Sequence, residues 1–452
     1  MCRVLIRPLE ELDAKTSYAW RNDPKIWEFT GSRPDREITE EIETEWILKA
    51  LSDPTSKRFA ILADDIYVGN IQLTHLNTEK PQYHIFIGDK SFWGKGVAKR
   101  ATYQILYFAS KVLKLTAVFL EVNNLNISAI KAYESCGFRQ IEKKETGSIM
   151  SIMLDTLYKP TVSIFVMVYN HAKYLQECLD GLLIQDCDFD YEICVGEDCS
   201  LDESRVILQR YQSLYPGKFN LLLHEKNVGA VKNQNMLLDM CEGSYIAICE
   251  GDDYWTDPFK LQKQVDFLKS NNDCNLVYHR AMIYDEDDKV LVPENLGNHD
   301  VEGKRTLEEL STNGNFMHSP TVMFRNNINF SSELLSVVVG DYVLWFLNGE
   351  KGKFGFIPDY MAVYRMWNGS VWGKKSLFKQ SYHWLLMLEK LINYTDSKLI
   401  RRKLIDQAVT VCERIGLTDL NANERNSFIM IVLRIKPVYI FTLFKRFIKS
   451  AF

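Results

Sequence analysis

A short run of carboxylates, Glu250-Gly251-Asp252-Asp253, follows an apolar stretch that predicts a β-strand over 245–249. Acidic side chains this close together repel one another unless a cation or a hydrogen-bond donor lies between them. Carboxylate oxygens are the ligands that a hard divalent cation prefers, and the same cation can also hold diphosphate oxygens. The run therefore predicts a site for Mg²⁺ or Mn²⁺ together with a phosphate-bearing substrate.

Two further polar clusters end predicted strands in the same half of the chain. Tyr169-Asn170 follows a strand predicted over 162–168, and Gly196-Glu197-Asp198 follows a strand predicted over 191–195. Helices are predicted between and after the strands, over 172–184, 203–214 and 231–240. Strands that alternate with helices form a parallel sheet, and ligands bind beyond the carboxyl ends of its strands. The three polar clusters should therefore line one crevice.

The first half of the chain contains a glycine turn, Trp93-Gly94-Lys95-Gly96-Val97-Ala98, between a strand predicted over 83–87 and a helix predicted over 97–113. Glycine lets the backbone approach a ligand closely, and a helix N-terminus offers N–H groups and the positive end of the helix dipole. Both features suit a pyrophosphate. Taken alone, such a turn is more often an ordinary tight turn, so the interpretation depends on the sequence around it.

The elements around this turn are short strands and two helices. A hairpin is predicted from strands over 58–63 and 66–75, joined at Asp64-Asp65. A strand over 117–122, a helix over 128–136 and a strand over 149–154 follow the turn. The pattern changes at Lys159-Pro160, which predicts a domain boundary near 158–161.

Several motifs follow the glycine turn in a fixed order: Leu120-Glu121-Val122, Asn126-Ile127-Ser128-Ala129, Tyr133 and Gly137-Phe138. With the turn, this ordered set resembles the GNAT superfamily of N-acetyltransferases over residues 1–157. The early run Trp20-Arg21-Asn22-Asp23-Pro24 resembles the branch that contains ribosomal-protein and amino-sugar acetyltransferases. The resemblance implies an α+β fold with a mixed sheet and acetyl-CoA as co-substrate.

The resemblance also implies roles for individual residues. The acetyl-CoA pyrophosphate would be cradled by the backbone of Trp93, Gly94, Lys95, Gly96, Val97 and Ala98. Asn126 would contact the pantetheine arm, and Tyr133 would protonate the departing thiolate. The family often has Gln or Arg where this chain has Ser91; that position supports the turn and does not count against acetyl-CoA.

The base of the acetyl transfer is left open between two residues. An amine must lose a proton when it attacks a thioester. Some family members use a glutamate on the strand before the tyrosine, and Glu121 stands there, although a strand-edge carboxylate without a catalytic role is an equal alternative. His84 on the neighbouring strand is the rival base, although a strand histidine with satisfied hydrogen bonds and no catalytic role is the commoner case.

The acidic run continues into Tyr254-Trp255-Thr256-Asp257-Pro258 and Lys260-Leu261-Gln262-Lys263-Gln264. With Val162-Ser163-Ile164, Tyr169-Asn170 and Asn227-Val228-Gly229, it resembles glycosyltransferase family 2 over roughly residues 160–372. The resemblance implies a GT-A fold, which is a Rossmann-like α/β domain, and inverting transfer from a nucleotide-sugar donor.

This second resemblance assigns the donor site residue by residue. The residues implied to bind the nucleotide sugar are Tyr169, Asn170, Asp198, Asn227, Gly229, Glu250 and Asp253. Asp198 would accept a hydrogen bond from the N3–H of a pyrimidine base. Glu250 takes the first acidic place of the DXD motif, where the family usually has Asp. Asp252 takes the second and would be the main ligand of the metal ion.

The base that activates the acceptor hydroxyl lies later in this family, and Asp341 is the candidate. Its alternative role is that of a helix N-cap, and both roles could hold. The chain departs from the family at two places. Gly340 stands where a Glu is common, and Trp367 stands where many members place a histidine near the metal, which leaves a third metal ligand open.

Composition favours a cytoplasmic globular protein of more than one domain. The 452 residues are 46% apolar and 25% charged, and the net charge of −5 gives no reason to expect a nucleic-acid partner. The ten cysteines include no CxxC pair, which favours reduced thiols and argues against a zinc site. No apolar run reaches the roughly 18 residues that a membrane-spanning helix needs.

Residues 376–452 predict a helical C-terminal region whose end is basic and amphipathic, with no acid after Glu424. Such a segment is typical of membrane-surface binding, here at the inner face of the cell membrane. A helix packed on the catalytic domain is the equal alternative. In the membrane interpretation apolar residues would enter the bilayer surface while basic residues face anionic headgroups. The apolar residues are Phe428, Ile431, Leu433, Phe444 and Phe447, and the basic residues are Arg434, Lys436, Lys445, Arg446 and Lys449.

The sequence thus predicts three regions: an acetyltransferase domain over 1–158, a glycosyltransferase domain over 159–375 and the helical region over 376–452. The joint interpretation is N-acetylation of a nucleotide-linked amino sugar, followed by inverting transfer of a sugar to a glycan or lipid-linked glycan acceptor in surface polysaccharide synthesis. Two alternatives remain: acetylation of a protein N-terminus, or one domain that only binds.

Overall fold

The computed structural model describes residues 3–29, 34–154, 159–294, 303–328, 334–337, 339–368, 376–415 and 420–439. The chain forms two compact units whose segments alternate along the sequence. Unit 1 comprises residues 1–163, 184–194 and 205–221, and unit 2 comprises residues 164–183, 195–204 and 222–452. Unit 1 thus includes two segments from the predicted second domain, whose linear boundaries stay a prediction.

Over the described residues, the first sheet has seven strands, and it is mixed, as predicted. The strands are β1 (Val4–Pro8), β2 (Lys57–Ala63), β3 (Ile66–Thr74), β4 (Gln82–Ile87), β5 (Ala117–Asn123), β6 (Arg139–Lys143) and β7 (Gly147–Met153). Their order is β1-β2-β3-β4-β5-β7-β6, and β4–β5 is the parallel pair among antiparallel neighbours. The predicted hairpin at Asp64-Asp65 is confirmed: both residues have positive φ, 49° and 64°, as a tight two-residue turn requires.

The helices α1 (Ala14–Arg21), α2 (Glu40–Leu51), α3 (Val97–Lys111) and α4 (Ile127–Ser135) accompany this sheet. Alternate residues of β5 (Val118, Leu120 and Val122) are buried in the same core cluster as Ala101 and Ile105 of α3. Because side chains alternate between the two faces of a strand, Glu121 lies on the face of β5 that points away from this core cluster.

The second sheet has nine strands in the part of the chain that the structure describes. They are β8 (Val162–Val168), β9 (Tyr191–Glu197), β10 (Phe219–Leu223), β11 (Tyr245–Ile248), β12 (Tyr254–Trp255), β13 (Cys274–Asp285), β14 (Val290–Pro293), β15 (Met323–Arg325) and β16 (Lys353–Met366). Their order is β10-β9-β8-β11-β15-β13-β16-β12, and β14 pairs with β13. The first four strands thus have the spatial order three-two-one-four, which is that of a doubly wound α/β sheet.

Helices separate these strands and continue after them: α5 (Ala172–Leu183), α6 (Ser204–Leu214), α7 (Ala230–Met240), α8 (Lys260–Ser270), α9 (Leu307–Asn313), α10 (Gly340–Lys351), α11 (Leu377–Tyr394), α12 (Lys398–Glu413) and α13 (Ala422–Ile435). The predicted helical character of the C-terminal region is confirmed by α11, α12 and α13. Among the described residues, no helix combines the length and apolarity that crossing a membrane would take.

The last of these helices, α13, packs against protein. Phe428 and Ile431 are fully buried, and the Arg434 Nε donates to Glu389 Oε1 of α11 at 2.5 Å. The prediction that Phe428 and Ile431 enter a membrane surface and that Arg434 faces headgroups is therefore wrong for these three side chains. Leu433 is 37% exposed. The rest of the basic segment, from residue 440, lies outside the described residues.

Candidate functional sites

The strands β4 and β5 meet at one position and then diverge. Within these two described strands, Gln82 pairs with Phe119, and no later pair follows it. On their outer edges β4 continues along β3 to Ile87, and β5 continues along β7 to Asn123. The facing backbone groups beyond the paired position can therefore hydrogen-bond an extended, amide-bearing molecule that enters between the strands. The pantetheine arm of acetyl-CoA is such a molecule.

The glycine turn lies at the end of this opening, directly after β4. Gly94 and Gly96 both have positive φ, 73° and 74°, which favours glycine at each position. Apart from its two chain neighbours, no described residue lies within 4 Å of where a Cβ on Gly94 would stand. Helix α3 begins at Val97, so its first-turn N–H groups and its positive dipole end face the turn. The geometry fits the predicted pyrophosphate cradle of Trp93 to Ala98.

Tyr133 lies on α4, with its ring packed edge-on against Tyr83 (5.8 Å between ring centres) and near Phe138 (5.9 Å). Burial raises the pKa of Tyr133 to about 12, so the phenol keeps its proton at neutral pH. A protonated phenol is the form that can donate to a thiolate. Asn126 caps α4: its Oδ1 accepts from the Ala129 N–H at 3.2 Å, which leaves its amide nitrogen as the group for the predicted pantetheine contact.

The structure does not bring Glu121 and Tyr133 together. Glu121 points to the opposite face of β5, where its side chain is 60% exposed and its Oε1 accepts from Lys144 Nζ at 3.1 Å. His84 Nε2 lies 3.1 Å from Thr74 Oγ1. Desolvation, with the charge of Arg58, lowers the pKa of His84, which favours the neutral imidazole that a base requires. The choice between Glu121 and His84 stays open.

The acidic run of unit 2 forms one cluster. Glu250, Asp252 and Asp253 each offer a carboxylate oxygen, and these oxygens lie within 4.8 Å of one another. Burial, with the charges of Asp252 and Asp341, raises the pKa of Glu250 to about 8. Burial and its two acidic neighbours raise the pKa of Asp253 well above its usual range, and its Oδ2 is buried without a hydrogen-bond partner. Closely spaced oxygens that resist ionisation fit a divalent cation.

The residue between the acids is a glycine because no side chain fits there. A Cβ on Gly251 would stand 2.8 Å from His171 Nδ1 and 2.9 Å from Val168 Cγ2. The close approach of this turn to the end of β8 holds the acidic cluster beside Tyr169 and Asn170. Tyr169 is 42% exposed, and Asn170 has a positive φ of 57°. Asn170 is fixed by two hydrogen bonds, from its N–H to Ser200 Oγ at 3.0 Å and from the Leu201 N–H to its Oδ1 at 2.8 Å.

Asp198, Asn227 and Gly229 lie together in the structure. Asp198 is 3% exposed, and its two carboxylate oxygens accept from the backbone N–H groups of Val228 at 2.6 Å and Gly229 at 2.9 Å. Asn227 Nδ2 donates to the Asp198 carbonyl at 3.0 Å. Asp198 therefore holds the 227–229 turn in place, and the contact to a pyrimidine base predicted for it stays a prediction.

Asp341 is the second residue of α10, not its cap, because the helix begins at Gly340 and is preceded by Val339. Its charge contributes to the raised pKa of Glu250, so it lies within electrostatic range of the acidic cluster. Gly340 explains one departure from the family pattern: a Cβ there would stand 2.5 Å from the carboxamide oxygen of Gln234. The side chain of Gln234 thus occupies the space that a glutamate at 340 would enter.

Two residues that hold the acidic turn come from the end of β16. The Arg365 N–H donates to Asp253 Oδ1 and its Nε to the Asp252 carbonyl, both at 2.8 Å. The Trp367 Nε1 donates to Asp252 Oδ2 at 2.7 Å. Sequence reasoning noted Trp367 only as a departure and missed Arg365, although a buried arginine in the apolar strand 361–366 is the kind of signal that marks a structural ion pair.

Trp367 cannot replace a histidine as a metal ligand, because an indole N–H only donates hydrogen bonds. It fixes one oxygen of Asp252 instead. His171 lies on the same side, with its Nε2 3.9 Å from Asp252 Oδ2. Among the described residues, three carboxylates form the cluster that fits a cation, and a fourth ligand from the protein is not brought into it.

Comparison with known families gives two matches. The model described as "Acetyltransferase (GNAT) domain" matches residues 3–139, and the model described as "Glycosyl transferase family 2" matches residues 163–330. Each match contains the residues of one candidate site, apart from Asp341 and the two residues at the end of β16.

Among curated relatives, an uncharacterized protein of Mycobacterium tuberculosis is 31% identical over 215 residues, which cover 47% of this chain and 60% of that protein. The chain thus spans less than two thirds of this relative's length. The putative teichuronic acid biosynthesis glycosyltransferase TuaG of Bacillus subtilis is 33% identical over 113 residues, covering 25% of this chain and 44% of TuaG.

Solved structures resemble each half separately. Spermidine N-acetyltransferase from Vibrio cholerae, in complex with CoA and spermine, is 21% identical over 34% of this chain and 96% of its own, with a TM-score of 0.31. S. aureus TarS in complex with UDP-GlcNAc is 19% identical over 61% of this chain and 80% of its own, with a TM-score of 0.46.

Proposed function

Because the chain joins a GNAT acetyltransferase domain to a family 2 glycosyltransferase domain, we propose that it N-acetylates a nucleotide-linked amino sugar and transfers a sugar, with inversion, to a glycan acceptor. The observation that carries the proposal is that one chain contains two separate arrangements that suit a diphosphate. One is the glycine turn at the start of α3, and the other is the acidic cluster at 250–253. A sugar nucleotide is a single compound that both activities can use.

In the first reaction, acetyl-CoA enters between β4 and β5, with its pyrophosphate on the glycine turn. The amine of the sugar attacks the thioester carbonyl and loses a proton to Glu121, to His84 or to a water held by one of them. The C–S bond breaks, and Tyr133, protonated because of its raised pKa, gives its proton to the thiolate of CoA. The products are an acetamido sugar and CoA.

In the second reaction, Asp252 would be the main ligand of a bound Mg²⁺ or Mn²⁺, with Glu250 and Asp253 beside it. A bound divalent cation would neutralise the charge that develops on the leaving nucleoside diphosphate. Asp341 accepts the proton of the acceptor hydroxyl. The hydroxyl oxygen bonds to the anomeric carbon on the side opposite the nucleoside diphosphate, and the bond between that carbon and the diphosphate oxygen breaks. Burial raises the pKa of Asp341, which makes the carboxylate a stronger base than one in water.

Surface polysaccharide assembly is the setting that the relatives favour. TuaG is named as a teichuronic acid glycosyltransferase, and a chondroitin synthase of Escherichia coli is 26% identical over 155 residues. We extend the proposal to a lipid-linked acceptor and a peripheral membrane position through the segment after α13. Sedimentation of the full chain with anionic liposomes at low salt, and its release at high salt, is the expected result. A chain that ignores such liposomes contradicts the membrane position alone.

The substrate is tested by incubating the full chain with acetyl-CoA and a panel of UDP- and dTDP-linked amino sugars. Mass spectrometry should show one sugar nucleotide whose mass increases by that of one acetyl group. The acetylated product should then be consumed as a donor when a glycan acceptor is added. Acetylation of peptide N-termini in a parallel panel, with no modified sugar nucleotide, would contradict the proposed substrate and favour a protein acceptor.

A further inference from the structure

Arg100 contacts the glycine turn and a distant segment of unit 1 at the same time. It lies in the first turn of α3, where one guanidinium nitrogen, Nη2, donates to the Lys95 carbonyl at 2.7 Å. The other, Nη1, donates to Asp186 Oδ1 at 3.0 Å. The two side chains of this ion pair are only 10% and 6% exposed. The pair is therefore a buried one, in which the loss of one partner is costly because it leaves the other charge uncompensated.

The segment around Asp186 holds α3 at further points. Tyr107, seven residues after Arg100 and so on the same side of the helix, donates from its hydroxyl to Glu192 Oε2 at 2.7 Å. Between them, Gln104 lies against Gly217, where a Cβ would stand 2.6 Å from the Gln104 carbonyl. One side of α3 is thus seated on the 184–194 and 205–221 segments, all within unit 1.

Peptide geometry links this contact to the ligand. The carbonyl of Lys95 and the N–H of Gly96 belong to one planar trans peptide, in which the two groups point in opposite directions. Because Arg100 holds the carbonyl towards the protein, the Gly96 N–H is turned the other way, towards the open side of the turn. Gly96 has a left-handed backbone, and nothing but the end of the Arg100 side chain lies within 4 Å of its Cβ position.

We propose that Asp186 is a positioning residue for acetyl-CoA. It orients Arg100, Arg100 fixes the 95–96 peptide, and the peptide N–H is thereby preset for an oxygen of the pyrophosphate. The inference rests on the proposed acetyl-CoA site and goes beyond it, because Asp186 lies outside the 3–139 stretch that matches the acetyltransferase family and inside the 163–330 stretch that matches the glycosyltransferase family.

The test separates the pyrophosphate from the rest of the ligand. Dissociation constants are measured on the full chain for CoA, by calorimetry, and for pantetheine, which lacks the pyrophosphate, by ligand-detected NMR. Asp186→Asn, which keeps the shape and removes the charge, should raise the dissociation constant of CoA by on the order of tenfold, the loss of one fixed hydrogen bond to a charged group, and leave that of pantetheine unchanged. Asp188→Asn, an exposed acid in the same segment, should change neither.

A second variant acts at the other end of the pair. Arg100→Lys keeps the charge, but a single ammonium cannot reproduce the two-pronged contact, so it should also weaken CoA and spare pantetheine. Arg139→Lys in β6 is its control. Unchanged CoA binding in either Asp186→Asn or Arg100→Lys overturns the proposal, and so does an equal loss for both ligands, which indicates general damage to the unit. Failure of the unchanged chain to bind CoA at all overturns the acetyl-CoA site itself.

Discussion

Both candidate sites are proposed to bind a pyrophosphate, but they offer it different chemical groups. The glycine turn at 93–98 presents backbone N–H groups and the start of α3, with no carboxylate among its residues. The acidic cluster at 250–253 presents buried carboxylates that resist ionisation. The first arrangement attracts a pyrophosphate directly, whereas acids hold one only through a cation bound between them and the phosphate oxygens. Acetylation should therefore be independent of divalent cations, and glycosyl transfer should require them.

The largest expected effect breaks one site and spares the other. Asp252→Asn removes the charge of the main predicted cation ligand, and loss of such an electrostatic contribution lowers turnover by at least about 10²–10³-fold. Glycosyl transfer, measured as release of nucleoside diphosphate, should fall below detection, while acetyl-CoA turnover is unchanged. EDTA added to the unchanged chain should likewise abolish glycosyl transfer and leave acetyl-CoA turnover unchanged. Undiminished transfer in EDTA would remove the cation from the mechanism.

The next effect breaks the other site. Tyr133→Phe keeps the ring packing against Tyr83 but removes the proton donor, so acetylation should fall by about 10²–10⁴-fold. Release of CoA thiol is the measurement, and Tyr103→Phe on α3 is the matched control. Because the pKa of Tyr133 is raised to about 12, the unchanged enzyme should show no loss of rate from deprotonation of this residue up to about pH 10. A loss smaller than tenfold in Tyr133→Phe would assign the acid role to another group.

A smaller effect is expected from the hydrogen bond that Trp367 donates to Asp252 in the acidic cluster. Trp367→Phe removes the hydrogen bond to Asp252 Oδ2 and should lower the affinity for Mn²⁺, with UDP present, by about tenfold, as for other hydrogen bonds to charged groups. Free Mn²⁺ is measured by electron paramagnetic resonance, which needs no turnover. Trp27→Phe in unit 1 serves as control. Equal Mn²⁺ binding in Trp367→Phe would show that this hydrogen bond does not contribute to cation binding, and tighter binding would show that the indole competes with the cation.

The smallest expected effect concerns a buried amine that follows the acidic run. Lys260 is fully buried, with its Nζ 3.7 Å from the centre of the Trp255 ring and 2.8 Å from Gln264 Oε1. Burial lowers the pKa of Lys260 to about 7. The pKa of a lysine in the unfolded chain is about 10.4. Between about pH 7 and about pH 10.4, the unfolded chain therefore binds a proton that the folded chain does not, so Lys260 destabilises the fold less as the pH rises.

Lys260→Met should therefore raise the melting temperature at pH 7 and lose that advantage as the pH approaches about 10. The measurement is the difference in melting temperature between variant and unchanged chain at each pH, with Lys263→Met, an ion-paired surface residue, as control. An advantage that does not change with pH would mean that Lys260 is already neutral for another reason or remains charged.

The parts of the fold that repeat locally could be predicted from the sequence. Strands β8, β9 and β11 are short runs rich in apolar residues, and helices α5, α6 and α7 lie between runs of this kind. Their alternation predicts a parallel α/β sheet. The late strands of the second sheet could not be found in this way. Strands β12 and β15 are two and three residues long and exist only because β16 and β11 offer them partners.

The same limit applies to the sites. The acidic run and the glycine turn are continuous in sequence, and their residue types alone indicate a cation and a pyrophosphate. The contacts that hold these segments in place join residues far apart in the sequence. Arg365 contacts Asp252 across 113 residues, and Arg100 contacts Asp186 across 86. Nothing near either acid in the sequence indicates its arginine, because the tertiary fold alone brings the partners together.

The alternation of segments between the two units bears on how such a chain can evolve. A gene recombination event at the predicted boundary near residue 158 would separate α3 from the residues on which it is seated, including Asp186 and Glu192. The half with the proposed acetyltransferase site could join a new partner only by acquiring a substitute for that surface at the same time. Descendants that keep both activities should therefore inherit the two halves as one block, and arginine at 100 and aspartate at 186 should be gained and lost together.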